Sequence, residues 1–388
     1  MVHDGIKTDW PKQIYFFYTQ LSAGSLLVLP SIMLPIYFHQ SNIYAVEGYL
    51  FFIEFFGMLI GSLLLAGASD KIGRRPTLAI SIILYSAGSF LPSLNGSLYS
   101  LSISMLIMGT GIGANVPIVN ALMNEHSDPS IRGIVMSLGN AIFNLGFIII
   151  PIFLLIGAGK YVFGYGLMQL VLLLPILWIP ETTKMNSGGG FKKLYAGSYL
   201  KRTLAISFAT FFVFFSVYGI IDWVPTLIYK EVIEVPAFFQ KGYIIIANLG
   251  AFAGAALMAP FIERLGRKVL GILVNLLAGV AEIILGFIYG NAFLLIAALI
   301  FSSVLFMEGG LAIVTIVSSE LYDPEMRGRG LGNSLAWGRI GGMISPLVLG
   351  SMFEELKSPS LPFLVISISS LIAMTCFFIL PETRHVNA

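Results

Sequence analysis

Twelve long apolar segments run through this sequence, and each is close to the length that a helix needs to cross a lipid bilayer. A spanning helix takes about 20 mostly apolar residues. Hydrophobic residues make up 57% of the chain and charged residues 11%, a balance that a water-soluble surface of 388 residues would not tolerate. The sequence therefore predicts an all-α membrane protein with 12 transmembrane helices. They lie near 13–37, 46–69, 77–94, 98–124, 132–156, 162–179, 203–229, 241–262, 269–289, 291–319, 328–352 and 361–380.

Glycine and charge patterns occur twice along the chain at nearly constant offsets. Gly57 and Gly61 recur as Gly250 and Gly254, and both pairs differ by 193 positions (250 minus 57, 254 minus 61). Three further patterns recur: Asp70 as Glu263, Glu125 with Arg132 as Glu320 with Arg327, and Pro180-Glu181-Thr182 as Pro381-Glu382-Thr383. We therefore expect two parallel six-helix repeats: an N-terminal half at 1–182, a cytoplasmic linker at 183–202 and a C-terminal half at 203–388.

Basic residues are concentrated in alternate loops. Most of the 22 Lys and Arg residues fall on one side if residue 1 is cytoplasmic. Since cytoplasmic loops carry an excess of Lys and Arg, both termini are expected in the cytoplasm, in a multi-pass protein of the plasma membrane. The lipid bilayer explains this charge distribution, and no nucleic-acid partner is needed.

Ionisable residues inside a span are costly and usually functional. Glu308 lies 12 residues before Glu320, and Arg339 lies 12 residues after Arg327, so both are roughly 18 Å from the same membrane surface. Equal depth on consecutive helices predicts that Glu308 and Arg339 pair in the empty protein, either for substrate binding and coupling or only to join two helices. Glu308 is the favoured proton carrier, with Glu54 and Asp222 as alternatives.

Uncharged polar residues suggest a central cavity between the halves. The candidate ligands besides Arg339 and Glu308 are Asn144, Asn140, Asn120, Thr315, Tyr218 and Gln20. Thr315 continues the helix face of Glu308, and Tyr218 lies one turn from Asp222. An asparagine in a membrane helix equally often joins helices without touching substrate, and both interpretations stay open for the asparagines.

The run from Asp70 to Arg75 resembles the loop between helices 2 and 3 of the major facilitator superfamily. The repeated acid-x₆-Arg patterns and the Pro-Glu-Thr ends resemble its sugar-porter branch and the organic-ion and metabolite relatives. The segment from Tyr218 to Thr226 looks more like the metabolite and organic-ion members. The glutamine pair that sugar porters carry in helix 7 is missing, which argues against sugar as the substrate. The acid that many proton symporters carry in helix 1 is also missing, which argues against helix 1 as the proton carrier. The resemblance implies a gating network formed by Asp70, Gly73, Arg74, Arg75, Glu125, Arg132, Glu263, Arg267, Glu320 and Arg327. Helix capping and topogenic charge are the simpler interpretation, and we prefer it for Arg75.

These features predict a secondary active transporter that works by alternating access. The expected cargo is a small organic anion moved with H⁺, because Arg339 offers a bidentate donor for an anion. A monosaccharide is the alternative cargo, and a transporter-like membrane sensor is a weaker alternative. Enzyme activity and a cofactor are not expected, since the sequence lacks a metal cluster, a nucleotide-binding loop and a nucleophile with a base. We expect a monomer.

Overall fold

The computed structural model describes residues 8–37, 43–94, 96–128, 130–181, 191–229, 237–288, 292–323, 326–356 and 358–383. These residues are almost entirely helical and contain no strand, because a lipid-exposed backbone must satisfy its hydrogen bonds within each helix. The twelve spans, labelled α1 to α12 in chain order, are Trp10–Ile36, Ile43–Ser69, Arg74–Ser93, Leu98–Glu125, Arg132–Leu155, Tyr161–Trp178, Leu200–Ile228, Ala237–Leu265, Arg267–Phe287, Phe293–Glu320, Arg327–Leu356 and Ser360–Ile379.

Eleven of these helices are long and apolar enough to cross a membrane by length and composition. The remaining span, α11, has 30 residues but is less apolar, because it carries many glycines together with Arg339. Large apolar side chains such as Leu64 and Trp178 are exposed, as expected for surfaces that face lipid. The predicted fold class is confirmed.

Span α6 differs from its counterpart α12. It is the shortest span, with 18 residues, and it consists mostly of 3₁₀ turns, including Gln169–Leu173 and Pro175–Trp178. A 3₁₀ helix rises about 2.0 Å per residue, compared with about 1.5 Å in an α-helix. The greater rise per residue therefore lengthens a segment that would be short for the bilayer.

The chain forms two compact units. The first comprises Met1–Pro30 and Ile53–Asn186, and the second comprises Ser31–Phe52 and Ser187–Ala388. The C-terminal residues of α1 and the N-terminal residues of α2 thus belong to the second unit. Short 3₁₀ turns at Phe191–Tyr195 and Gly197–Tyr199 lead into α7. The domain limits expected from the sequence remain a prediction.

The repeated glycine pairs mark close helix contacts in both units. A Cβ at Gly61 would overlap the backbone of Thr110 on α4, and a Cβ at Gly254 would overlap the backbone of Leu305 on α10. The partner residues are 195 positions apart (305 minus 110), close to the offset of the glycines themselves. Small residues let membrane helices approach this closely, so the duplication extends to helix packing.

We expect Gly61→Val to destabilise the protein by about 1–3 kcal/mol, because the new side chain must displace the backbone of α4. Thermal unfolding of the purified protein measures this loss. Gly67→Val is the matched control on the same span, since a Cβ at Gly67 meets no atom within 4 Å. Equal destabilisation by both variants would show that helix propensity, and not the close contact, sets the cost.

Candidate functional site

A hydrogen bond joins two of the predicted ligands in the first unit. Gln20 is fully buried on α1, and its Nε2 donates to Oδ1 of Asn120 on α4 at 2.9 Å. Asn120 is half-buried. The Oε1 atom of Gln20 has no hydrogen-bond partner among the described residues. This amide pair therefore retains an unused acceptor, the kind of group that orients a polar ligand.

The other two asparagines of the first unit differ in environment. Asn144 is 7% exposed and lies near the end of the first helical segment of α5, Arg132–Gly146. Asn140, one turn earlier, is exposed. Close to Asn144, Gly146 packs against the backbone of Leu21 on α1. Asn144 thus lies near a tight contact of α1 with α5.

In the second unit, α7 and α11 pack closely, and they carry Tyr218 and Arg339. Arg339 is 8% exposed, and Tyr218 is its ionisable neighbour. Gly341, half a turn from Arg339, lies against the backbone of Phe211, and Gly219 lies against Ser345. Two of the predicted ligands, a guanidinium and a phenol, therefore lie on packed helices and are electrostatic neighbours in a largely buried environment.

Glu308 lies on a different side of its helix from the one expected. The carboxylate side chain is 3% exposed, and its Cβ packs beside Gly254 of α8. The ion pairs among the described residues do not include one between Glu308 and Arg339. The expectation of a resident pair is therefore not met, because equal depth fixes a height in the membrane but not a direction around the helix. Thr315 is half-buried and donates to the Leu311 carbonyl at 2.8 Å.

The other candidate proton carriers are also buried. Glu54 is 2% exposed on α2. Asp222 is 5% exposed at the junction of two helical segments of α7, Leu200–Ile221 and Trp223–Tyr229. Its Oδ2 has no hydrogen-bond partner in the described part of the chain. A buried carboxylate at a helix break is well placed to respond to a proton.

An aromatic cluster in the second unit was not identified from the sequence. Trp223 is fully buried, and its ring centroid lies 5.2 Å from Phe353, 5.9 Å from Phe51 and 6.2 Å from Tyr44. We call Tyr44, Phe51, Trp223 and Phe353 the tryptophan cluster. The spacing of Tyr44 and Phe51, seven residues apart on one helix face, was the available signal.

A buried hydrogen bond accompanies the tryptophan cluster. Thr226 Oγ1 donates to Oε2 of Glu47 at 2.8 Å, and both side chains are at most 1% exposed. The backbones also approach closely here, since a Cβ at Gly48 would lie 2.5 Å from the carbonyl oxygen of Pro346. The first residues of α2 therefore contact both α7 and α11.

In the second unit, charged residues form a network around Gly266, the residue between α8 and α9. The guanidinium of Arg267 binds both Glu263, at 3.1 Å, and Glu320, at 3.1 and 3.2 Å. Thr383 donates to Glu320 at 2.5 Å. Glu382 accepts from the backbone N–H of Arg267 at 3.0 Å, so it caps the start of α9.

The first unit repeats part of this arrangement. Arg74 forms an ion pair with Glu125, as Arg267 does with Glu320. Gly73, with φ of 109°, adopts a conformation that L-residues rarely take, and a Cβ there would meet the carboxylate of Glu181. Glu181 and Glu382, from the two Pro-Glu-Thr patterns, thus pack on the loops that precede α3 and α9.

The arginines of the acid-x₆-Arg patterns bind backbone carbonyls. Arg132 donates to the Ser127 carbonyl at 3.5 Å, and Arg327 donates to the Tyr322 carbonyl at 3.4 Å. The acids of these patterns bind Arg74 and Arg267 instead. Asp70 is helical, but its side chain lies outside the described residues. The gating role of the network stays a prediction.

Two tyrosines in the segment before α7 form hydrogen bonds with later residues of the second unit. Tyr195 donates to Asn333 Oδ1 at 2.7 Å and accepts from the indole N–H of Trp337 at 3.1 Å. Tyr199 donates to Asp323, and this hydrogen bond raises the pKa of Tyr199 above its ordinary value. The sequence indicated only a polar linker here.

Comparison with known proteins gives a consistent assignment. Residues 14–257 and 243–388 match the family described as Major Facilitator Superfamily. The chain is 27% identical over 314 residues to the 3-(3-hydroxy-phenyl)propionate transporter of Escherichia coli (strain K12), covering 79% of this chain and 77% of that protein. It is 24% identical over 356 residues to the niacin transporter NiaP of Acinetobacter baylyi, covering 79% of each.

Solved structures share the fold. A crystal structure of the D-xylose-proton symporter superposes with a TM-score of 0.78 at 17% identity, covering 96% of this chain and 98% of that one. An inward open conformation of the xylose transporter XylE from E. coli gives a TM-score of 0.77 at 17% identity, covering 97% of each chain. At this identity the likeness establishes architecture alone.

Proposed function

The chain belongs to the major facilitator superfamily and is a membrane transporter, and we propose that it moves a small aromatic carboxylate together with a proton by alternating access. Niacin and 3-(3-hydroxyphenyl)propionate, which name two of its relatives, are both carboxylates that carry a ring. The relatives thus support the expected organic anion, and a monosaccharide stays the alternative.

The observation that carries this proposal is the environment of Arg339. No ion pair among the described residues involves this 8% exposed guanidinium, and a phenol, Tyr218, is its ionisable neighbour. A buried charge without a counter-charge is costly. A carboxylate substrate would supply that counter-charge through a bidentate contact. Tyr218 would add a hydroxyl donor.

The first unit offers further candidate ligands of its own. Gln20 and Asn120 offer amide groups, of which the Oε1 atom of Gln20 is unused. Asn140, Asn144 and Thr315 are retained as further candidates.

A thermal-shift screen of the purified protein tests the substrate class. Benzoate, niacin, monosaccharides and organic amines are compared at the same concentrations. A ligand at 100 times its dissociation constant adds about 2.7 kcal/mol of stability. We expect stabilisation by aromatic carboxylates. Stabilisation by a monosaccharide alone would replace the anion proposal with the sugar alternative.

Coupling is proposed to use Glu308, with Glu54 and Asp222 as alternatives. Glu308→Gln should abolish accumulation driven by a pH gradient but spare exchange of substrate across the membrane, because the amide cannot carry a proton. Uptake into proteoliposomes measures both activities. Glu355→Gln, which changes an exposed acid of α11, is the control. Persisting pH-driven uptake in Glu308→Gln would move the coupling role to another acid or exclude proton coupling.

We further propose a monomer in the plasma membrane with both termini in the cytoplasm. The distribution of Lys and Arg supports this orientation. Protease accessibility of terminal tags in oriented vesicles tests it.

A further inference from the structure

A buried carboxylate in the second unit lies among serines of three other helices. Glu282, on α9, is fully buried. Its Oε1 accepts from Ser216 of α7 at 2.9 Å and from Ser370 of α12 at 3.1 Å, and the two serine oxygens are 2.7 Å apart. Ser303 of α10 is the third polar neighbour of the carboxyl group. Four helices therefore meet at one carboxyl group, away from the ligands considered so far.

The protein supplies no counter-charge to this group within the described residues. The groups that face it from α7, α10 and α12 are the three serines, and no charged or other titratable side chain is an electrostatic neighbour. None of the described ion pairs includes Glu282, and its Oε2 has no hydrogen-bond partner. An isolated carboxylate anion in such a place is expensive. Protonation of Glu282 removes this charge, and the hydrogen bonds to Ser216 and Ser370 can remain.

The serines can serve the protonated form. Ser303 donates its own hydrogen to Sδ of Met307 at 3.3 Å. Its oxygen lone pairs are therefore available to accept a hydrogen bond from a protonated Glu282. Ser216 and Ser370 can meanwhile donate to the other carboxyl oxygen.

The fold does not require an acid at this position. The loop glycines Gly73 and Gly266 are 193 positions apart in the sequence. The same offset (282 minus 193) makes Ser89 of α3 the position in the first unit that is equivalent to Glu282. Ser89 is 1% exposed and donates to a carbonyl of its own helix, that of Ser86, at 2.8 Å. The first unit thus fills the equivalent site with a small neutral residue. The carboxyl group is an addition peculiar to the second unit.

We propose that Glu282 is a proton-binding site of the second unit and that its proton holds α7, α9 and α12 together. Ser216 lies two residues before Tyr218 on α7, so the contact of Glu282 with Ser216 reaches the helix that carries a proposed substrate ligand. When the carboxyl group loses its proton to water, the anion draws water between these helices and loosens α7. The consequence for transport rests on the proposed function, but proton binding itself does not.

Infrared difference spectra of the purified full-length protein, recorded stepwise from acidic to alkaline pH, test the proposal. A carboxyl C=O band of the wild type should vanish as pH rises, and Glu282→Gln should lack that band. Because burying the anion costs free energy, the wild type should also lose thermal stability relative to Glu282→Gln as pH rises. Identical spectra of the two proteins at every pH would overturn the proposal.

Two serine variants make the test specific. Ser370→Ala removes a donor that stabilises the anion, so the band should persist to more alkaline pH. Ser369→Ala is the matched control, since Ser369 donates to the carbonyl of Val365 on its own helix at 3.0 Å. Equal spectra for Ser370→Ala and the wild type would contradict the assigned contacts. If the band behaves as expected but no organic anion binds, the substrate proposal fails and the proton site stands.

Discussion

Arg339→Lys should weaken the binding of an aromatic carboxylate by about 10- to 100-fold, the loss expected when about 1.5–3 kcal/mol of charged hydrogen bonding is removed. A lysine keeps the positive charge but replaces a planar fork with a single point donor. The residue is 8% exposed on α11, so little water is available to compensate for the lost contact. Isothermal titration of the purified protein with benzoate or niacin measures the change.

Arg329→Lys is the control for this substitution, because it makes the same change near the start of the same helix. Its affinity should equal that of the wild type. Substrate affinity of the wild type should also rise as pH falls, if proton and anion bind cooperatively. Equal affinity at acidic and neutral pH, together with normal binding by Arg339→Lys, would make Arg339 a structural residue and exclude the anion mechanism proposed for it.

The position of Glu308 bears on that mechanism. We expected Glu308 to occupy Arg339 in the empty protein and to release it on protonation. The structure instead packs the Cβ of Glu308 beside Gly254 of α8. A direct exchange of partners would therefore need a conformation in which α10 has turned or shifted relative to α11. Coupling through separate sites on one moving bundle needs no such change.

The sequence predicted the number and limits of the spans well, because a bilayer imposes a narrow range of helix lengths. The glycine pairs indicated a repeat but not the contacts that they make; the structure shows that Gly61 and Gly254 lie against the backbones of equivalent helices. The 3₁₀ winding of α6 was not foreseen. An apolar segment of 18 residues does not reveal whether the chain will stretch or the bilayer will thin.

Part of the candidate site could be predicted from the sequence. The neighbour that each side chain meets could not. Gln20, Asn120, Tyr218 and Arg339 were each candidates; the structure joins Gln20 to Asn120 by a hydrogen bond and makes Tyr218 an electrostatic neighbour of Arg339. Periodicity gives the face of one helix, but the neighbour that this face meets depends on packing. For that reason the expected pair of Glu308 with Arg339 failed.

The charged loops show the same limit. Repetition of the acid-x₆-Arg pattern singled out Glu125 and Glu320, but it did not indicate which residues they bind. Their partners are Arg74 and Arg267, which lie far away in sequence. A local pattern identifies a residue that needs a counter-charge, and tertiary packing selects the residue that supplies it.

Trp223→Ala should have the largest effect on stability. The side chain is fully buried among three other aromatic rings, two from α2 and one from α11. Truncation of a buried Trp costs about 3–5 kcal/mol, since the cavity cannot collapse completely. Trp178→Ala is the control, because that indole is 81% exposed and its loss should leave the melting temperature unchanged. Thermal unfolding in one detergent compares the two variants.

The same variant tests whether the tryptophan cluster closes a passage. Thr226 is fully buried beneath the cluster and donates to Glu47. A cysteine at position 226, introduced with Cys376→Ser to remove the native thiol, reports water access at this point. Labelling by a polar thiol reagent should be slow with Trp223 present and several-fold faster with Trp223→Ala. If Trp223→Ala lowers the melting temperature but leaves the labelling rate unchanged, the cluster stabilises the helix ends and does not control access to them.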